Sequence, residues 1–431
     1  MSNPKVSRRD FLKLSGAAAA AAATGGLTSK KPALAFPNVI RRRQALKLGV
    51  GGWAVDSITA LLEQLEFTKL TGIEVEVLTR PGAPDEMITQ LVSGAQANNS
   101  PYDVIDFEDE LAITGSRAGW YMGLDDLLPS DFWDDWSEGM LSMAETWDKY
   151  NGETFRIHHN YEACYWWYRK DWFDEKGVAV PTTWEEVAAM GEIFTDKDAG
   201  VWATVEGMAG GAFLNVYLAW VTLQAGGNPF DVGEEFRTAL QYIYDLMYTY
   251  NTLNPASLQK DYDQQNADYL ADRVAFMRQW PFFYSISRGA TDWYEEGKAE
   301  IALPPVGPGG PANSTYAAGW GWGIPKHTRM PDEAKELVKF LIDKDNAVKM
   351  AEYDVWYLSA RKSVLDAVGD QEGIPAALKM YSDAGVIGVR PFHEKFVEAL
   401  SILEDSASAY LTDQISLDDA ISQAQSRMGR L

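Results

Sequence analysis

From residue 44 onward the apolar positions switch between two periods. QALKLGV (44–50) reads as a short buried strand closed by Gly49, Gly51 and Gly52. Ser57 to Leu70 then follows helical spacing, with Ile58, Leu61, Leu62 and Leu65 on one side. Gly72 ends it, and IEVEVLT alternates with period two. Met87 to Ala97 predicts another helix and YDVIDF (102–107) a third, mostly buried strand. Strand, helix, glycine, strand is α/β grammar.

The same reading continues through the chain. Asp131 to Asp148, rich in tryptophan and acids, predicts a helix, with extended stretches at Thr154–Ile157 and Tyr165–Tyr168. PTTWEE (181–186) predicts a helix start, with Thr183 as cap and Glu186 at the reciprocal position. Phe213–Leu223 and Phe236–Tyr250 read as helices, and Arg273–Met277 as a strand, with Pro281 redirecting the chain. LPPVGPGGP (303–311) predicts a turn-rich crossing and Gly321–Ile324 a strand. Pro331–Ile342 places Ala334, Leu337, Val338, Leu341 and Ile342 on one helical face. Crossings near 158 and 305 predict two lobes, the chain entering the second and returning to the first.

The N-terminus follows different rules. VSRRDFLKLSGAAAAAAATGG (6–26) has paired arginines, a weakly apolar alanine run and small residues, and ALA (33–35) is a cleavage site before Phe36. Arg8-Arg9 followed by DFLK resembles a twin-arginine export signal, a route that typically moves folded cargo. Residues 1–35 are therefore expected to be a leader. Cys164, the one cysteine, stands far from that cleavage point, so no lipid anchor is expected. An extracytoplasmic, soluble body follows. Removing the leader leaves 32 Lys and Arg against 61 Asp and Glu, a net charge of −29. Such a surface repels nucleic acid and anionic lipid. Arg41-Arg42-Arg43 reads as an extended start to the mature chain.

Catalytic signatures are lacking: there is no GxSxG, no HExxH and no phosphate-loop lysine motif. His158, His159 and Glu162 form the one cluster worth weighing as a metal site, but adjacent residues on an extended chain point to opposite sides. No cofactor is expected. Acid pairs such as Asp125-Asp126, Asp134-Asp135 and Glu185-Glu186 read as solvated surface, with paired glycosidase carboxylates as the enzymatic alternative. The informative residues are tryptophans. Trp53 follows Gly51-Gly52, Trp280 precedes Pro281, Trp320 and Trp322 alternate with glycines, and Trp356 follows a predicted helix. Open α/β sheets bind ligands beyond the carboxyl ends of their strands, where Trp53 and Phe107 would stand. An indole covers the apolar C–H face of a sugar ring and also attracts cations.

Four stretches carry a family resemblance. LKLGVGGWAVDSITALLEQLEFTKLTGIEVEV, YDVIDFEDELAITGSRAGWYMGLDDLL and FRIHHNYEACYWWYRKDWFDEKGVAVPTTWEEV come first. RVAFMRQWPFFYSI with WGWGIPKHTRMPDEAKELVKFLI completes the set. In order, they resemble the extracellular solute-binding proteins of ABC importers, of the sugar-binding type typified by maltose-binding protein. The resemblance implies an α/β, two-lobed Venus-flytrap fold with several crossings and no catalytic step. It implies a first lobe over 36–158 plus 305–356 and a second over 159–304 plus 357–431. A carbohydrate ligand, a membrane permease and the twin-arginine machinery would be its partners, and a monomer is expected.

By the same resemblance, Phe107 matches the aromatic after the third strand, with Asp109 and Glu110 beside it as hydroxyl acceptors. Glu162 matches the acid of the first crossing, preceded by Tyr161, and Trp280 the second-lobe tryptophan. Trp53, Trp320, Trp322 and Trp356 complete the expected site. DFEDE and FRIHHNYEAC depart from the family pattern. An acidic mouth suits sugar hydroxyls or, alternatively, a polyamine or quaternary amine. Arg117, Arg278 and Arg361 are the single basic candidates near it.

Overall fold

The strands arise where the alternation predicts them, and their pairing sorts them into lobes. In the computed structural model, residues 44–81, 84–211 and 213–431 are described. The expected leader and the Arg41–Arg43 run lie outside the described residues. The chain lays down β1 (Leu46–Val50), β2 (Val75–Thr79) and β3 (Val104–Glu108), then a hairpin of β4 (Lys149–Tyr150) and β5 (Glu153–Thr154). β6 (Ile157–His158), β7 (Glu162–Ala163) and β8 (Tyr165–Arg169) follow closely. Later come β9 (Trp202–Thr204), β10 (Val274–Gln279), β11 (Ala299–Ala302), β12 (Thr315–Ala318), β13 (Trp320–Gly323) and β14 (Ile387–Val389).

The first lobe is built on the order β2-β1-β3-β13-β6, and the second on β11-β8-β10-β9. A third sheet, β14-β12-β7, lies between them. β12 runs antiparallel to β7 and parallel to β14. One residue, Cys164, separates β7 from β8, and one residue, Gly319, separates β12 from β13. Adjacent strands of this small sheet are thus the passages by which the chain moves between lobes. The result is the two-lobed α/β fold expected.

Helices cover the sheets where their apolar stripes fit. Helix Val55–Gln64 buries Ile58, Leu61 and Leu62. Helix Pro331–Ile342 buries Ala334, Leu337, Val338, Leu341 and Ile342, the five positions its spacing predicts. In the second lobe, helix Phe213–Gln224 is apolar on nearly all sides and buries Leu214, Leu218 and Val221.

Five expectations change. The helix expected over 57–70 is two helices, broken at Glu66, whose φ of 56° turns the backbone left-handed. The second, Phe67–Thr71, ends at Gly72, also left-handed, whose N–H caps Thr68 O. The stretch 131–148 divides into a 3-10 turn (Phe132–Asp135), helix Glu138–Met143 and a π turn (Ala144–Asp148). Thr183 does cap helix Trp184–Phe194, but the Glu186 carboxylate reaches past it to Thr182 N and Oγ1. Residues 303–311 do not cross between lobes: Val306 N bonds Thr182 O and Gly309 N bonds Gln224 O, pinning the segment to the second lobe. The return to the first lobe comes later, at β12. Past Tyr357 the chain stays on the first lobe, since Arg361 Nε and Ser363 N both bond Asp135. That puts the next passage beyond residue 363, later than the boundary expected at 356.

The WGWG strand shows how tightly the first sheet is filled. β13 pairs with β3 in the register Trp320↔Glu108, Gly321↔Phe107, Trp322↔Asp106 and Gly323↔Ile105. A Cβ at Gly323 would stand 2.5 Å from the Phe107 ring and 3.2 Å from Phe155 O. At Gly321 it would meet Arg156 Cγ and Ile157 O, both at 2.7 Å. The glycines are therefore steric requirements. Gly323→Ala should lower stability by about 1–3 kcal/mol through overpacking. The check is a fall in urea midpoint with unchanged m; an unchanged midpoint would mean that Phe107 yields without penalty.

Candidate functional site

A cleft of about 730 Å³ opens between the lobes, within the size range of small-molecule sites. Its first-lobe wall is aromatic. Trp53 lies just past β1, Trp320 opens β13, and Trp356 sits in a short turn after helix Lys344–Tyr353. Their ring centroids are 5.4 Å (Trp53–Trp320), 6.1 Å (Trp53–Trp356) and 5.6 Å (Trp320–Trp356) apart. The Arg80 guanidinium lies 4.7 Å from the Trp320 ring centre and backs it. Trp53 is folded back over Gly51, where a Cβ would meet its ring at 2.5 Å, yet it remains 58% exposed. One exposed and two half-buried indoles grouped in a cleft form an apolar surface fit for a partner.

The second lobe supplies the facing wall. Trp280 lies just past β10, and its Nε1 donates to Tyr262 Oη at 3.1 Å. Phe213, Phe282 and Ile286 line the same side. Tyr316 of β12 packs edge-on to Trp280 at 6.0 Å.

The floor is acidic, with charged groups packed beneath it. Asp109 is fully buried and accepts from Arg156 Nη2 at 2.5 Å, His158 Nε2 at 3.1 Å and Gly319 N at 3.3 Å. Asp148 receives Arg156 Nε at 2.8 Å and His158 Nδ1 at 2.6 Å. Burial alone would raise the Asp109 pKa. Arg156 and His158 outweigh it and hold the carboxyl well below the usual range. Burial opposes charge on His158 too, but Asp148 and Asp109 win and raise its pKa. A carboxylate on each ring nitrogen favours a proton on both, against the Arg156 guanidinium, whose Nη2 lies 3.0 Å from Nε2. Glu110 accepts from Arg390 Nη2 at 2.6 Å. Glu108 is pushed up to about 8 by burial and then by Glu110, against Arg390 and Arg80. Glu162 is pushed up to about 8 by burial and then by Asp106, Asp109 and Glu108.

Of the residues picked from sequence, Trp53, Asp109, Glu110, Glu162, Trp280, Trp320 and Trp356 line this cleft. Phe107, Tyr161 and Trp322 do not. Phe107 is wholly buried, stacked on Tyr121 at 4.7 Å. Tyr161 is buried, its hydroxyl close against Gly139. Trp322 is wholly buried under His159, ring centres 4.5 Å apart. The three basic candidates are also elsewhere. Arg117 donates to Glu394 O, Arg278 is buried beside Cys164 and Glu206, and Arg361 holds Asp135. His158 and His159 serve different carboxylates, His159 Nε2 meeting Asp106 at 3.0 Å. Arg390, which sequence reasoning misses, is the cleft's guanidinium; it follows the three-residue β14, too short for a readable period. Glu108, Tyr262, Phe213 and Tyr316 are missed as well. Their one legible signal is position at or near the end of a strand or the start of a helix.

A sequence profile described as bacterial extracellular solute-binding protein matches residues 51–348, more than half of the chain. The chain belongs to that family. The family's members bind solutes rather than transform them. A profile of twin-arginine translocation signal sequences matches residues 5–25, which with the family places the protein outside the cytoplasm. Among the described residues no helix is long and apolar enough to cross a membrane. Solved structures of the family share the fold. Maltose-bound MalE3 of T. maritima gives a TM-score of 0.74 at 23% identity, over 90% of this chain and 100% of that one. A solute-binding protein of Agrobacterium radiobacter K84, in complex with ribitol, gives 0.73 at 20%, over 90% and 98%. The GacH receptor of Streptomyces glaucescens, solved unliganded and with acarbose, gives 0.74 at 16%, over 90% and 98%.

The ionic groups under the floor set a pH dependence. His158 has a raised folded pKa, so its stabilisation is complete below the ordinary histidine value and fades as pH rises through the folded one. Asp109 behaves oppositely, its contribution fading only as pH falls through its depressed value. Raised Glu108 and Glu162 subtract stability as pH climbs from about 4.5 to about 8, in wild type and variant alike. The stability difference between wild type and His158→Gln should therefore shrink as pH rises above the ordinary histidine value of about 6.5. Urea midpoints across that range read it directly, and a constant difference would mean that His158 is not held charged.

Proposed function

We propose that this protein is the substrate-binding subunit of an ABC importer that captures a sugar or short oligosaccharide and delivers it to a membrane permease. One observation carries the reading: three tryptophans in mutual ring contact form a wall in a cleft whose floor is carboxylate. An indole wall suits the C–H face of a pyranose, and carboxylates accept its hydroxyls. Related proteins of the same fold have been solved with maltose, ribitol and acarbose, which supports a polyhydroxylated ligand. Lobe closure on the ligand would present the loaded form to the permease. A monomer is the simplest carrier, since docking would use both lobes.

Intrinsic tryptophan fluorescence of the mature protein, titrated with mono-, di- and trisaccharides and checked by calorimetry, tests this. A saturable one-to-one change with one sugar class is expected. Trp320→Ala should then weaken binding by about 10–100-fold, the equivalent of about 1–3 kcal/mol of lost apolar contact. A well-folded protein that is silent to every sugar would overturn the proposal.

A further inference from the structure

Among the described residues five carboxyls line the cleft, those of Glu108, Asp109, Glu110, Glu162 and Asp263, against one guanidinium, Arg390. Two of the five are matched within the chain. Asp109 is held by Arg156 and His158, and Glu110 takes Arg390. Among the described residues, the carboxyls of Glu108, Glu162 and, on the opposite lobe, Asp263 make no hydrogen bond and no ion pair. The register shows how the first two are placed. Glu108 stands beside Trp320 on β13, and Glu162 beside Ala318 on β12. Gly319, between those positions, faces the other way: a Cβ there would meet the His158 ring at 2.5 Å. The two unpartnered carboxyls thus stand beside Ala318 and Trp320 on the cleft wall.

We propose that the captured sugar carries a protonated amine, seated between Glu108 and Glu162 with its ring face on the tryptophan wall. This rests on the sugar-capture reading and narrows its ligand class. A neutral hydroxyl bonds to these carboxyls but brings no charge that would let them ionise. An ammonium donates three hydrogen bonds and supplies the missing charge. Burial and neighbouring acids make both carboxyls hold protons at neutral pH in the empty cleft. Seating a cation there displaces them.

The wall argues against a bare cation. Centroids at 5.4–6.1 Å leave Trp53 edge-on to Trp320 and Trp356 and those two tilted against each other, with no box for a quaternary ammonium. Arg80, with its guanidinium 4.7 Å from the Trp320 ring centre, already gives that indole a cation partner within the chain. What remains is a surface for C–H groups. A quaternary amine also lacks the N–H that these carboxyls require.

Calorimetry on the mature protein tests the proposal with three matched series: glucosamine oligomers, their N-acetylated twins and neutral glucose oligomers, with spermidine and glycine betaine alongside. At low salt an amine-bearing oligomer should bind at least about tenfold tighter than its N-acetylated twin. Added salt should erode that advantage. Repeating the titration in buffers of different ionisation enthalpy should show proton release with the amine and none with the neutral sugar. Glu108→Gln with Glu162→Gln should abolish both the preference and the proton release. Neutral sugars binding as well as amines would overturn this inference and leave sugar capture standing. Spermidine or betaine binding where every sugar fails would overturn both.

Discussion

Everything in the cleft rests on one buried guanidinium. Arg156 is fully enclosed, with Nε on Asp148, Nη1 on Phe107 O and Nη2 on Asp109. A charge withdrawn from water is tolerable only when every donor finds a partner in good geometry. Meeting that condition ties together the end of β3, the π turn at 144–148 and β6. Asp109, fixed from below, takes the Gly319 amide and so anchors the junction between β12 and β13. The acidic floor of the site is thus the upper face of an ion network whose lower face is core.

The two walls differ in kind. The first-lobe wall is an indole cluster gathered from residues 53, 320 and 356, remote in sequence but adjacent at the ends of β1 and β13 and after helix Lys344–Tyr353. The second-lobe wall is looser: Phe282 and Ile286 are partly exposed and Trp280 is steadied through Tyr262. Such asymmetry suits a ligand that settles first on the broad fixed face and is then covered by the other lobe.

The sequence carries the lobes and most of the wall, because period and glycine punctuation are local properties. Helix 331–342 is legible to the residue, since its stripe depends only on its own spacing. The misassigned aromatics mark the limit. Trp320 and Trp322 share a face of one strand, yet the first enters the cleft and the second lies under His159. Only depth within the sheet separates them, and depth is a tertiary fact. Phe107 fails for the same reason: the space left by Gly323 admits its ring into the core. Arg390 is illegible because a three-residue strand has no readable period. The break at Glu66 needs a left-handed glutamate, which propensity does not foresee.

The placement of β13 also constrains the order of assembly during synthesis. Its pairing with β3 joins Gly321 to Phe107 across more than two hundred residues. The first lobe emerges from the ribosome early, but its sheet lacks an inner strand until residue 323 has followed, and its helix 331–342 comes later still. Long-range pairing of this kind slows folding and leaves unpaired edges exposed meanwhile. A nascent chain could not be threaded outward domain by domain and complete either lobe in turn. An export signal of the twin-arginine type, whose route takes folded cargo, lets that late closure finish before the membrane is crossed.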